Sequence, residues 1–336
     1  MLCSLMRIFS TLCFASAFSI LAVSAQAGPA EDLAKFSGLS NPDLSAVVGG
    51  KVITERGSGA QGRDLSVEAL FFLPMPPEKS ADFVRHWTGT KYPDLQTYLH
   101  SAISGQPSAA DFKKLGSSPN IPPVKLLVTN TVKLDPQKPQ LHVSQDEAQK
   151  APHNANANAM SPEVANFWAE LLANRARAFV SSGVSGQPPY FFNGEKVQVG
   201  NEVSRLLKSR SKWQSQFGDV LGASGYQSSG SKFSLFYTMF DADRQAALAL
   251  GGSFAKASSG GSWQGLDLQY YASTGHYALI TLYQYWPYQN GTLVWEGDLV
   301  SAPGLGTLHG VERLASSGVM VKRIEKSINH MKQDAR

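Results

Sequence analysis

The chain is nearly without cysteine and poor in charge. Its 336 residues include two cysteines, Cys3 and Cys13, both within the first thirteen positions. A disulfide framework, a Cys-based zinc site and a thiol nucleophile are therefore excluded from everything that follows them. Charged residues make up only 17%, against 43% hydrophobic and 10% aromatic. That balance excludes a disordered tail protein, since there is ample apolar surface to bury. The 30 glycines show no Gly-X-Y period, which excludes a collagen-like chain. No run after residue 27 approaches 18 apolar residues, so no later segment reads as a membrane span. The net charge of +4 is spread thinly and forms no basic stripe, so nucleic acid is not an expected partner.

Residues 1–27 read as a secretory signal. Arg7 is a short positive start, Ile8 to Val23 is apolar apart from small Ser and Thr, and Ala25-Gln26-Ala27 is a small-x-small cleavage site. Ser10-Thr11-Leu12 before Cys13 lacks the small-residue approach of a lipid-attachment signal. Removal of this leader takes both cysteines and one charge. The expectation is an exported, secreted or periplasmic chain, soluble and monomeric, running from residue 28 to 336.

Along that chain, Leu33 to Phe36 suggests one helical turn, and Val47 to Glu55 and Leu65 to Leu73 suggest strands. Between these strands, Gly57-Ser58-Gly59-Ala60-Gln61-Gly62 spells G-x-G-x-x-G. The following residues alternate like a strand instead of opening a helix, so the glycines read as a hairpin loop and not as a dinucleotide site. Pro74, Pro76 and Pro77 end the second strand and start a helix with Phe83, Val84 and Trp87 on its apolar side. A second helix is expected over Leu95 to Ile103, and a strand over Val124 to Leu134. Residues 135–160, with their Asn-Ala tract, suggest a flexible connector, either a domain boundary or a loop within one domain. Ser161-Pro162-Glu163 is a helix start, and Val164, Phe167, Trp168, Leu171, Leu172 and Phe179 follow at helical spacing. Arg175 and Arg177 fall near that helix's end, where cations suit the dipole. Asn193-Gly194 marks a short hairpin, and Val203 to Phe217 another helix.

From Lys232 the pattern becomes β. Runs at 232–240, 246–255, 264–273, 276–286 and 292–300 are of strand length, with Gly260-Gly261, Thr274-Gly275 and Asn290-Gly291 as turns. Short connections force antiparallel neighbours, which predicts a meander of five strands. Leu308 to Lys332 then forms a long helix, with Val311, Leu314, Gly318, Val321, Ile328 and Met331 on one stripe. The fold class is α+β: a curved antiparallel sheet gripping a long C-terminal helix, with a helical segment inserted at about 135–220.

At this point a resemblance emerges. GKVITERG…DLSVEALFFLPMPPEKSADFVRHW is similar to the strand–strand–Pro–helix opening of START-like (helix-grip, Bet v 1-like) proteins. YYASTGHYALITLYQYWPYQNGTLVWEGDLV followed by VERLASSGVMVKRIEKSINHMK resembles the closing strands and terminal helix of that superfamily. The likeness covers roughly 47–104 and 230–333 and leaves 135–220 as an insertion. It implies a lipid, sterol or other hydrophobic or amphipathic ligand held between sheet and helix, although some members carry enzyme activity.

Strand alternation supplies candidate walls for such a cavity. Leu266, Leu268, Tyr270 and Ala272 oppose Asp267, Gln269 and Ser273; Leu293, Trp295 and Leu299 oppose Glu296 and Asp298; Tyr277, Tyr283 and Tyr285 oppose Ile280, Leu282 and Trp286. The candidate ligand-binding residues are Phe71, Trp87, Tyr237, Tyr270, Tyr277, Tyr283, Trp286, Trp295 and Val321. No catalytic residue is assigned and no cofactor or metal is expected. The histidines form no metal motif, and His276 after a turn glycine reads as an exposed or turn residue. Asp241-Ala242-Asp243 reads as a turn before a metal site. Ser209…Lys212 and Ser253…Lys256 fit S-x-x-K without companion motifs, and Gly251-Gly252-Ser253-Phe254-Ala255 is a poor nucleophile elbow. Lys208, Arg210 and Lys212 beside Trp213 suggest a solvated helix face, with transient membrane-surface contact as the alternative. Two other classes stay open. One is an envelope subunit that works through protein–protein contact; the other is an enzyme whose site, for instance acidic residues with His276 or Ser253, converges only in the fold.

Overall fold

The computed structural model describes residues 28–57, 62–222, 232–307 and 310–336. The leader with Cys3 and Cys13, most of the glycine loop after Gly57, and the side chains of Val311 and Leu314 lie outside the described residues.

The N-terminal part contains helices α1 (Pro29–Phe36) and α2 (Leu44–Val48), strands β1 (Ile53–Arg56) and β2 (Asp64–Leu73), helix α3 (Pro77–His86) and strand β3 (Thr97–Ile103). The middle holds α4 (Pro122–Val132), α5 (Gln145–Ala148), α6 (Pro162–Ser182), a small hairpin β4 (Tyr190–Phe192) and β5 (Glu195–Val197), then α7 (Val199–Lys208), α8 (Ser211–Gln216) and α9 (Gly218–Leu221). The meander follows as β6 (Lys232–Ala242), β7 (Gln245–Ala257), β8 (Trp263–Ala272), β9 (Ala278–Tyr288) and β10 (Gly291–Ser301), and α10 (Gly310–Asp334) closes the chain.

Eight strands form one open antiparallel sheet in the order β1-β2-β10-β9-β8-β7-β6-β3. The meander is its centre, β2 and β3 flank it, and α10 and α3 pack on one face. The expected α+β arrangement of an antiparallel sheet with a long C-terminal helix is therefore present. The opposite face carries the larger core, beneath α1, α2, α4 and α6–α9. Period-2 alternation sorts side chains between the two. Phe71, Tyr283, Tyr285 and Val294 meet Ala81, Val84, Ile328 and Met331 on the α3/α10 face, while Leu70, Leu266, Ile280 and Trp295 meet the helical layer. A sheet covered on both faces has strands buried throughout, as in β2 and β9.

Three expectations change in physical detail. Val124 to Leu134 is helical, because Pro122 and Pro123 open a first turn and Val124, Leu127, Val128 and Thr131 bury one helical stripe. The segment Thr97–Ile103 is a strand, paired at the sheet edge with β6. Residues 135–160 are held down: Leu141, His142, Val143, Ala148 and Ala151 are buried, and Ser144 with Glu147 forms a capping box. Arg175, expected near the helix end, is fully buried within α6. It bonds Glu147 at 2.6 Å and lies over the Tyr271 ring at 4.4 Å.

Candidate functional site: an acidic row under two helices

Register places one continuous row across the α3/α10 face. Ser234 pairs with Ser253, Ser253 with Asp267, Asp267 with Thr281, and Thr281 with Asp298. Adjacent strands lie about 4.8 Å apart, so the Asp267 and Asp298 backbones are roughly 10 Å apart with Thr281 between them. The neighbouring row adds Tyr283 opposite Glu296. Three carboxyl groups thus stand on one sheet face.

Their partners are few. Ser253 donates a short hydrogen bond to Asp267 Oδ1, and Tyr283 reaches Asp267 Oδ2 at 3.5 Å. Thr281 donates to Asp298 Oδ1 at 2.7 Å. Glu296 Oε2, Asp298 Oδ2 and Gln269 Oε1 have no donor among the described groups. Arg85 of α3 is the cation at the end of the row, but it is bound to Ser234 Oγ at 3.0 Å and to Asp82 at 2.8 Å. Burial therefore dominates the chemistry. It pushes the Asp267 carboxyl up to about 6, against the opposing pull of the Ser253 hydrogen bond. Burial likewise raises Asp298 to about 6. It lifts Glu296 well above the usual carboxylate range, and the adjacent Asp298 charge raises it further. Glu296 and Asp298 hydrogen-bond to each other when one of them keeps its proton.

Tyr285 belongs to the same group. Its ring crosses Gly265, where a Cβ would stand 3.2 Å from Cε2, so the glycine makes room for the phenol to lean along β8. Burial, with the charges of Asp267 and Glu296, holds its proton on well above the normal range.

Beside this deep row runs a second, more open one. Phe236, Gly251, Gln269, Leu279 and Val300 are cross-strand neighbours, and all except Gly251 keep partial exposure. Gly251 leaves a gap there: a Cβ would fall 2.2 Å from the Phe236 ring. The face therefore presents an apolar open row against an acidic deep row.

The residues expected to line a cavity divide between the two faces. Phe71, Tyr283, Trp87 and Val321 lie on the α3/α10 side. Phe71 is buried, Val321 is half-buried, and Trp87 Nε1 donates to Asp334 at 2.7 Å and ties α3 to the end of α10. Tyr237, Tyr270, Tyr277, Trp286 and Trp295 pack against the helical layer. Tyr270 stacks on Phe179 at 3.9 Å, Tyr237 packs on Phe112 at 4.8 Å, and Tyr277 touches His142. Trp286 stacks on Phe36 and donates to Asp32, while Trp295 lies among Phe36, Trp213 and Phe217 and donates to Glu68.

Other chemistry is placed plainly. His276 is buried, with its ring over Phe240 at 5.8 Å and its pKa lowered by burial to about 4, which corrects the exposed reading. Asp241, Asp243 and Arg244 form a turn, in which Asp241 accepts from Arg244 N at 2.8 Å. Among the described residues no His, Cys, Asp or Glu group is spaced for a metal. Ser253 and Lys256 fall on opposite faces of β7, and Ser253 lies mid-strand and not on an elbow. Trp213 is buried and donates to Phe36 O at 3.1 Å, so it presents no aromatic to a membrane surface. An open cleft of about 790 Å³ lies elsewhere, beside α3 and the end of α10, and is lined by charged groups including Glu78, Lys79, Asp82 and Lys91.

Comparison with protein-family models, with curated proteins and with solved structures finds no match for the chain.

Proposed function

We propose that the protein is an exported, START-like ligand carrier that holds an amphipathic small molecule against the α3/α10 face of its sheet. The observation that carries this reading is the juxtaposition of two rows. Phe236, Leu279 and Val300 offer apolar surface that is partly open, and beneath them Glu296 Oε2 and Asp298 Oδ2 have no donor outside their own pair, with Asp267 beside them. Buried polar atoms without partners are costly, and a ligand head group that bonds them recovers that cost. A purely hydrocarbon ligand would leave them unpaired, so the amphipathic half of the expectation is favoured over the purely apolar half. The order of strands and helices supports the START-like likeness, since both the Pro77 helix and the terminal helix lie on the same sheet face. Export rests on the leader pattern.

The test is native mass spectrometry of the purified protein before and after delipidation, with Leu279→Trp as the blocking variant. A bound amphiphile that leaves on delipidation and fails to load the variant is expected. A protein that takes up no amphiphile, wild type and variant alike, would refute the proposal.

A second reading has one observation behind it. Ser253 hydrogen-bonds Asp267, and the Glu296/Asp298 pair shares a proton, a combination used for acid–base chemistry. Turnover of an ester or glycoside panel by wild type, abolished in Asp298→Asn, would favour it.

A further inference from the structure

The one cation near the acidic row, Arg85 at its end, closes no ion pair on it. Among the described side chains no ion pair reaches Asp267, Glu296 or Asp298, and the guanidinium of Arg85 is already held by Asp82 and Ser234. Glu296 and Asp298 are only 6% and 5% exposed, yet Glu296 Oε2 and Asp298 Oδ2 have no donor outside the pair they form with each other. A second, independent feature stands over the row. The aromatic rings of Tyr283 and Tyr285 stack at 5.9 Å, and Tyr285, 1% exposed, leans over Gly265 toward the carboxyls with no hydrogen bond among the described residues. Unsatisfied carboxylate acceptors beside π-faces suit one head-group chemistry best, a positively charged nitrogen, which gains charge-assisted hydrogen bonds from the first and cation–π attraction from the second.

We propose that the ligand is an organic cation: an amphiphile whose ammonium head seats among Asp267, Glu296, Asp298 and the Tyr283–Tyr285 pair while its tail lies along Phe236, Leu279 and Val300. This rests on the amphiphile-binding reading above and narrows it to one charge class. An anionic amphiphile meets three carboxyls and is rejected. A neutral one of equal length keeps the tail contacts and loses the charge pairing.

Displacement of a fluorescent amphiphile by decylammonium, 1-decanol and decanoate at pH 7 tests this with the full folded chain. Decylammonium is expected to bind at least about tenfold more tightly than decanol, with decanoate weakest. In Glu296→Gln/Asp298→Asn the preference for decylammonium over decanol is expected to collapse, the two probes then binding alike. Asp267→Asn, a single neutral replacement at a less buried position, repeats the comparison if the double variant fails to fold as judged by its circular dichroism spectrum. Equal binding of all three probes, or preference for decanol or decanoate, overturns the cationic assignment while leaving the amphiphile site standing. Binding of none of them overturns both.

Discussion

At the scale of single residues, the fold carries protons that an unfolded chain would give up. A carboxyl whose pKa is raised in the folded state contributes stability that is complete below its unfolded value, near 4. That contribution is lost as pH rises through the folded value, about 6 for Asp267 and Asp298. Glu296→Gln/Asp298→Asn is accordingly expected to match wild type in urea denaturation near pH 4 and to exceed it at pH 8, by on the order of 1–3 kcal/mol. A variant less stable at pH 8 would show that the carboxylates are satisfied when charged. Arg175 behaves in the opposite way. Its guanidinium is wholly buried, bonded to Glu147 and to Pro188 O at 3.1 Å, and stacked on Tyr271. Arg175→Ala strands Glu147 and should cost about 3–5 kcal/mol. Arg175→Lys is expected to recover little of this, since an ammonium cannot reproduce the planar fork or the stack. Chemical denaturation at fixed pH reads both.

At the scale of elements, legibility followed the strength of local signals. The meander was readable because turn residues punctuate strands of two-residue period, although the last turn centres on Gln289-Asn290, one residue before the Asn290-Gly291 expected, with Gly291 already in β10 opposite Tyr288 and Trp286 opposite Leu293. The terminal helix was readable from its length and stripe. Thr97–Ile103 was not, since TYLHSAI carries apolar residues at helical as well as strand spacing, and only pairing with β6 decides it. At 124–134 the β-branched residues Val124, Val128, Thr129, Thr131 and Val132 suit a strand, and the two prolines that start the helical turn override them. Alternation correctly separated Asp267 from Leu266 and Glu296 from Trp295. The polar side of these strands carries the stronger signal. A carboxylate two residues from another on a strand buried on both faces must find a partner or a proton, which makes it more informative than the aromatics opposite. One break in period was invisible: a bulge beside Gly251 leaves Tyr270 without a cross-strand partner and directs both Tyr270 and Tyr271 at the helical layer. Element geometry also yields a packing prediction. A Cβ on Gly297 would lie 2.2 Å from Trp295 Cη2, so Gly297→Ala should destabilise by about 1–3 kcal/mol in a denaturant titration. Leu279→Trp, on the half-open row, should change stability by less than about 1 kcal/mol.

At the scale of the whole molecule, two sets of buried groups oppose each other between pH 4 and 6.5. His100 and His276 are lowered to about 4 and His142 to about 3, each by burial. Their folded values lie below the unfolded one, so the stability they contribute is present above about 6.5 and is lost as pH falls toward 4. The carboxyls change in the other sense over the same interval. Wild type should therefore show a shallow stability profile there. Glu296→Gln/Asp298→Asn, which leaves Asp267 as the one raised carboxyl of the row, should show stability climbing more steeply as pH rises through that window. A pH series of thermal unfolding distinguishes the two, and parallel curves would contradict the assignment of opposing groups.

The strand order also dictates when the chain can fold. β2 has two neighbours, the four-residue β1 and β10, and β10 begins at Gly291, more than two hundred residues downstream of Leu73. At a synthesis rate of about 5–20 residues per second, β2 waits roughly ten to forty seconds for the partner that makes it part of a sheet. Closing so long a loop also slows the search once the partner exists. Nascent chains ending before residue 291 are expected to remain protease-sensitive throughout β2, which pulsed proteolysis of ribosome-bound chains would read directly. A polypeptide that withholds its first long strand until its last is complete leaves that strand's unpaired edges open to solvent, chaperone and protease for nearly the whole of its synthesis.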